Sequence, residues 1–441
     1  MGEAGWLERI GAERPRYLAI VTGLAEAIAR GDLQPGERLP SQRALAAVLG
    51  VDLTTVTRAF AEAQARGLVE ATVGRGAFVK ATAAELDARV DLSMNLPPPP
   101  EGVSLGEELS SAAGAILRRA DIGALMTYQA GAGGPAQRAA GAAWLAPVLG
   151  RREDLLVCAG AQAGLAASLS VLCRPGDVVA AEPLTYPGLM GVSAQLGLRV
   201  VACPADGEGP TPEGLAAVAR THQAKALYVV PTLQNPTATT LSEGRRRALA
   251  RAARLAGMWI VEDDPYSRLL EAPLPGLASL APDRTVHIAT LSKTLTPGLR
   301  VAFLAAPPDL AGRIDAALRA LTLMPAPLMT GVATQWIREG RAAAILAGVR
   351  REARARRALA ARLLPAASGG EDSLHVWLPQ VDGVRAERLR AGAWARGVSL
   401  VGGEAFAVEP GAPAGLRISL GGPARRTVLA EALEVVAAAV E

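Results

Sequence analysis

Apolar residues recur at helical spacing near the start of the chain. Ile20, Val21, Leu24, Ala25 and Ile28 share one face and Gly31 follows them, which predicts a first helix that stops there. Pro40-Ser41 offers a hydroxyl cap to a short second helix with Leu45, Ala46 and Leu49 on its apolar side, ended by Gly50. Asp52 can cap a third helix, lined by Val56, Ala59, Phe60 and Ala63 and ending at Gly67. Two short helices joined by a tight glycine turn make a helix-turn-helix. Apolar positions then alternate over 68–79 around Gly74-Arg75-Gly76, the pattern of a two-stranded hairpin, or wing.

Beyond Leu92 the pattern changes. Apolar runs at 155–159, 178–182, 226–230, 259–262, 286–289 and 301–305 alternate with longer helical stretches, as in an α/β fold built on one sheet. The uncharged stretch 155–173 is long enough to span a bilayer. Gly160, Gln162, Gly164, Ser168 and Ser170 interrupt it and Arg174-Pro-Gly-Asp177 closes it, so a buried strand and a packed helix are expected, with no membrane segment.

A polar, alanine-rich stretch at 82–89 and a polyproline run at 97–100 place the boundary near residue 90. The expected partition is a winged helix-turn-helix (α+β) over 11–80, a short linker over 81–91, and an α/β body over 92–441. The body divides into a large lobe of about 125–310 and a smaller C-terminal α+β lobe of about 311–441, joined by the body's N-terminal segment. A linker of about ten residues reaches roughly 35 Å at most.

At 441 residues the chain is too long for one ordinary core. Half of it is apolar while aromatics make up 3%, so the cores must be built from Ala, Leu and Val. A formal charge of +4 decides little, but 38–80 holds six cations against three acids. Thr54, Thr55 and Arg58 would start a helix able to enter a major groove, with Arg38, Arg43 and Arg75 reaching phosphates. The bland alternative is a docking module whose arginines merely solvate its surface.

Cys158, Cys173 and Cys203 are odd in number and lack C-x-x-C spacing, and the three histidines lie far apart, so neither disulfides nor a metal site is expected. Glu3, Glu8, Arg9 and Glu13 stand where a secretory signal would be apolar, which points to a reducing cytoplasm.

Only Lys80, Lys225 and Lys293 are lysines; arginine supplies the other positive charge. Arginine cannot form a Schiff base, so a lysine kept in Thr290-Leu-Ser-Lys293-Thr-Leu-Thr-Pro-Gly-Leu-Arg300, just after an apolar strand, suggests a nucleophilic amine. A solvated loop lysine is the alternative. Asp263 ends a strand where a carboxylate could keep a pyridine nitrogen protonated. Tyr266 and Asn235 could donate to the ring oxygen, and Tyr186 could stack on the ring. Gly160-Ala161-Gln162 opens a helix whose free N–H groups suit a phosphate, with Thr290 and Arg300 completing the cradle.

These stretches carry a resemblance. Gly36-Glu-Arg-Leu-Pro-Ser-Gln-Arg43, Thr55-Val-Thr-Arg58, Gly67-Leu-Val and Gly74-Arg-Gly-Ala-Phe-Val79 together resemble a GntR-type winged helix, with Asp52-Leu53 where that family has Ser-Arg. From about residue 92 the chain is similar to fold-type I aminotransferases of class I/II. The similarity rests on Tyr128 with Gly133, Gly160-Ala-Gln, Tyr186-Pro-Gly, Asn235-Pro-Thr, Glu262-Asp-Asp-Pro-Tyr266, Ser292-Lys293 with Pro297-Gly-Leu-Arg300, and Leu416-Arg417-Ile-Ser. Ala161, Ala238 and Ala302 depart from it, replacing a hydroxyl residue and two glycines.

The combination resembles the MocR-type regulators, which implies a homodimer responsive to pyridoxal 5'-phosphate (PLP) and binding a double-stranded DNA operator. It implies Lys293 as Schiff-base lysine, Asp263 on the pyridine nitrogen, and Asn235 and Tyr266 on the ring oxygen. Gly160, Ala161, Gln162, Thr290, Arg300 and the partner chain's Tyr128 would hold phosphate, and Arg417 would clamp an amino acid's α-carboxylate. The expected function is transcription regulation in which the body senses PLP or an amino-acid effector. The alternative is a working aminotransferase with an accessory DNA-binding module, and a third reading is a scaffold keeping an unused cofactor pocket. His375 and Trp377, on an alternating strand at 374–378, are expected to serve packing, and the arginines of 350–357 to form a solvated face that could also assist DNA backbone binding.

Overall fold

The computed structural model describes residues 7, 10, 15–30, 33, 39–72, 76–79, 89–119, 121–129, 131, 133–152, 154–380 and 383–440. It falls into two compact units, 1–89 and 90–441. Arg38, Arg75 and the wing turn lie outside the described residues.

The first unit contains α1 (Arg16–Arg30), α2 (Gln42–Leu49), α3 (Leu53–Ala65), β1 (Val69–Thr72) and β2 (Gly76–Val79). Both expected caps form: Ser41 accepts from the Ala44 N–H at 3.2 Å and Asp52 from the Thr54 N–H at 2.8 Å. Gly50 closes α2 in the left-handed region (φ 59°), where a side chain would be strained, and the chain turns by 119° between α2 and α3. Val21, Leu24, Leu45, Val56 and Phe60 form the core beneath. β1 and β2 pair antiparallel, Val69 opposite Val79 and Thr72 opposite Gly76.

The second unit begins with β3 (Val90–Asp91), which pairs in parallel with β12 (Val398–Ser399). Two residues that the sequence reading gave to the linker are therefore held in the body. Its main sheet comprises β4 (Leu155–Cys158), β5 (Val178–Ala181), β6 (Arg199–Ala202), β7 (Ala226–Val229), β8 (Trp259–Asp263), β9 (Thr285–Thr290) and β10 (Ala302–Ala305). The strand order is β4-β10-β9-β8-β7-β5-β6, and β10 alone runs opposite to the other six. β6, absent from the sequence reading, is an edge strand. Residues alternate between two cores: Val179, Ala181 and Tyr228 pack on one face, Val178, Ala180, Leu227 and Val229 on the other. Cover on both faces is why these strands read as continuous apolar runs.

The smaller lobe holds β11 (His375–Pro379), β13 (Val401–Gly402) and β14 (Gly415–Ser419) in the antiparallel order β11-β14-β13, with Val376, Leu378, Leu416 and Ile418 in its core. No single helix among the described residues is long and apolar enough to cross a membrane; 155–173 is strand β4 and the helix Ala161–Leu172.

The arginine-rich helix Arg341–Leu363 corrects one expectation. Arg350 donates to the carbonyls of Arg268 and Leu270, Arg357 to that of Gly369, and buried Arg356 binds Glu352 and the carbonyls of Leu420 and Pro423. These three guanidiniums brace loops, whereas Arg351 of the same run stays exposed beside Glu101.

Candidate functional site

Strands β5, β7, β8 and β9 run in one direction, so their carboxyl ends share an edge, where open α/β sheets bind ligands. Asp263 ends β8, and Lys293 follows β9 by three residues. Tyr228, on β7, donates its hydroxyl to Asp263 Oδ2 at 2.6 Å, while Oδ1 is buried without a partner. Burial pushes the Asp263 carboxyl up to about 6, against the Tyr228 hydrogen bond. Behind it, buried His287 lies 2.8 Å from Glu262 and 3.6 Å from Asp264. Burial disfavours its charge, but the two carboxylates outweigh burial and raise its pKa.

Lys293 Nζ donates to the backbone carbonyl of Asn95. Burial and then Arg417 push the amine down to about 8, so a substantial neutral fraction exists near neutral pH, as a nucleophile requires. Arg417, on β14, donates to Asn235 Oδ1 at 2.7 Å and to the Ser93 carbonyl, and lies over the Phe406 ring at 4.9 Å. Its own Nε is buried and unpartnered.

Gly160 caps the helix Ala161–Leu172 at φ 87°, and a Cβ there would meet the Arg300 guanidinium at 2.5 Å. Gln162 donates to the Gly188 carbonyl at 3.0 Å and accepts from the Tyr186 hydroxyl at 3.2 Å. Thr290 sits at the end of β9, its hydroxyl 2.9 Å from that of Ser292. The structure thus brings Lys293, Asp263, Asn235, Tyr266, Tyr186, Arg417 and the Gly160-Ala161-Gln162 turn with Arg300 to one edge. Tyr128 is not among them: it is 79% exposed on its own chain.

Asn95, Tyr228 and His375 escaped the sequence reading as site residues. Asn95 Nδ2 donates to the Tyr266 hydroxyl at 2.8 Å and lies 3.1 Å from His375 Nδ1. His375 is buried in that polar chain, whereas Trp377 does pack, with Leu184 and Phe406. Asn95 stands beside a polyproline run and Tyr228 within an apolar strand, and neither local pattern signals a ligand.

In the first unit Arg43 and Thr54 are exposed and Thr55 is half-buried. Thr54 gives its hydroxyl proton to Asp52 at 2.5 Å, and Arg58 lies over the Tyr17 ring at 4.1 Å. Thr57 bonds Gln42 at 2.8 Å and ties α3 to α2.

Comparison with known proteins agrees with both halves. The family described as "Bacterial regulatory proteins, gntR family" matches residues 16–79, and "Aminotransferase class I and II" matches 90–433. The uncharacterized HTH-type transcriptional regulator YdeF of Bacillus subtilis is 30% identical over 437 residues, covering 93% of this chain and 91% of that protein. The chain belongs to the MocR-type regulators.

Another relative of this regulator is the HTH-type pyridoxine biosynthesis transcriptional regulator PdxR of Corynebacterium glutamicum, 31% identical over 317 residues, 69% of this chain and 68% of that one. Among solved structures, LysN, an α-aminoadipate aminotransferase from Thermus thermophilus complexed with N-(5'-phosphopyridoxyl)-L-leucine, superposes with a TM-score of 0.74 at 27% identity, over 86% of this chain and 98% of that one. The cofactor of this family is PLP, and the free Asp263 Oδ1 and the lowered Lys293 amine fit it.

Proposed function

We propose that this regulator works in the cytoplasm as a homodimer, binding an operator through α2, α3 and the wing, and that its body reports PLP, or an amino acid bound to it, to that DNA-binding unit. The observation that carries this reading is the convergence of Lys293, Asp263 and Arg417 at one sheet edge in a chain that also holds a winged helix.

PLP supplies an electron-accepting ring and an aldehyde that joins a primary amine. On this reading Lys293 is that amine and Asp263 Oδ1 takes the ring N–H. Asn235 and Tyr266 face the ring oxygen, and Tyr186 covers the ring. Gly160, Ala161, Gln162, Thr290 and Arg300 hold the phosphate, with Tyr128 supplied by the partner subunit, in keeping with its exposure here. Arg417 takes the effector carboxylate, its fork already oriented by Asn235. Arg43, Thr54, Thr55 and Arg58, with Arg38 and Arg75 outside the described residues, make up the DNA-facing set.

An effector shifts DNA affinity only by binding the two states unequally. Fluorescence anisotropy on a duplex from upstream of the chain's own gene tests this, with the chain free, with PLP, and with PLP plus each of a panel of amino acids. A change in affinity with PLP or one amino acid supports regulation. Identical affinities in all three, together with fast turnover of amino and keto acids, would favour the aminotransferase reading, which the same Lys293, Asp263 and Arg417 set permits.

A further inference from the structure

Asn95, His375 and Gln234 form a chain of hydrogen bonds whose direction can be assigned from one end. The Gln234 backbone carbonyl can only accept, so His375 Nε2, 3.0 Å away, carries the ring's hydrogen. The ring is neutral, because burial and then Arg417 push its pKa down to about 3. His375 Nδ1 is therefore an acceptor, and the Asn95 atom 3.1 Å from it must be the amide nitrogen. That nitrogen's second hydrogen goes to the Tyr266 hydroxyl at 2.8 Å, so the Tyr266 oxygen accepts. The Tyr266 hydroxyl then keeps its own proton for another acceptor, and none among the described residues takes it. Asn95 itself is 4% exposed, buried between its two partners.

We propose that Asn95 and His375 are positioning residues that hold Tyr266 as a one-way donor to the phenolic oxygen of PLP. The inference rests on the cofactor reading above. Other charges face the same groups: Arg417, Asp263 and Tyr186 act on Tyr266, and Arg417 and Lys293 on His375. Their fields change the energy of the proton but do not choose which oxygen lone pair Asn95 fills. A primary amide suits this relay because it has two hydrogens, one for each neighbour. An Asn95→Asp carboxyl has at most one, in either protonation state, and cannot serve both.

A donor to the phenolic oxygen stabilises its negative charge, which is least shared when the nitrogen linking PLP to Lys293 has lost its proton. Losing that donor therefore raises the pH midpoint at which the bound cofactor's visible band changes. The test is a pH titration of that band on the full PLP-loaded chain, in wild type, Asn95→Asp, Tyr266→Phe and the double variant. Asn95→Asp should raise the midpoint by about one unit or more, roughly the worth of one charge-assisted hydrogen bond. Most of that shift should vanish in the Tyr266→Phe background, whereas the bare field of a new carboxylate would persist there. An equal shift in both backgrounds, or none in either, overturns the relay. A wild-type chain that never develops a visible band overturns the cofactor reading instead.

A measurement on the unmutated protein stands independently of how the variants fold. With ¹⁵N-labelled histidine, His375 should report a neutral ring with hydrogen on Nε2 from pH 6 to 8. An imidazolium, or hydrogen on Nδ1, overturns the proposal.

Discussion

The Tyr228 hydroxyl donates to Asp263 Oδ2 at 2.6 Å and leaves Oδ1 as the carboxylate's free acceptor. One oxygen is thus occupied by the protein and the other is available to a ring N–H. Asp263→Asn removes the charge that such an N–H would meet and should weaken PLP binding roughly 10- to 100-fold, the worth of one charged hydrogen bond. Tyr228→Phe keeps the carboxylate but raises its pKa further, and should cost less, within about tenfold. Equilibrium dialysis against PLP checks both.

Lys293 must lose its proton before it can attack an aldehyde, and folding lowers its pKa from 10.5 to about 8. The rate at which the apo chain takes up PLP should therefore climb with pH and level off above about 8, and stopped-flow absorbance from pH 6.5 to 9.5 would follow it. An ordinary surface lysine would still be accelerating at the upper limit. Lys293→Arg keeps the positive charge and should abolish the mass gained on incubation with PLP and borohydride.

Arg417 holds a planar fork between Asn235 and the Ser93 carbonyl. Arg417→Lys keeps the charge and loses the fork, so affinity for an α-amino acid should fall roughly 10- to 100-fold. Affinity for PLP should change much less, because Arg417 is not assigned to hold it. Spectral titration of the PLP-loaded chain with an amino-acid panel separates the two effects. Equal losses of both would remove the carboxylate-clamp role.

Asp52 places a carboxylate at the start of α3, its pKa lowered by the hydrogen bonds from Thr54. Asp52→Ser retains a capping oxygen and removes a charge that phosphates repel. It should tighten DNA binding several-fold at low salt, where charge effects are least screened. Arg43→Ala should weaken binding and flatten the plot of log affinity against log salt by about one unit of slope. Anisotropy across a salt series reads both changes.

The winged helix was legible because its punctuation is local: Ser41, Gly50 and Asp52 cap or stop helices through bonds within a few residues. Lys293 stood out by rarity, and Asp263, Asn235 and Arg417 by their order along the chain. What stayed hidden depends on distant partners. Asn95 meets His375 across 280 positions, and Arg350 meets the carbonyls of Arg268 and Leu270 across about 80. No window of sequence contains both halves of such a contact, so a bridging amide drew no notice and a row of braces read as solvated charge. His375 was read as packing for the same reason: alternation on a strand reports burial, and burial alone does not distinguish an apolar wall from a hydrogen-bonded one.

Arg417 and Lys293 share one further property: each is moored to main-chain oxygen, at Ser93 and Asn95, a few residues into the body. A carbonyl is present whatever side chain the gene encodes, so these moorings survive every substitution at 93 and 95 that preserves the backbone path. Only a change of backbone path, or a guest that draws both cations to itself, would part them.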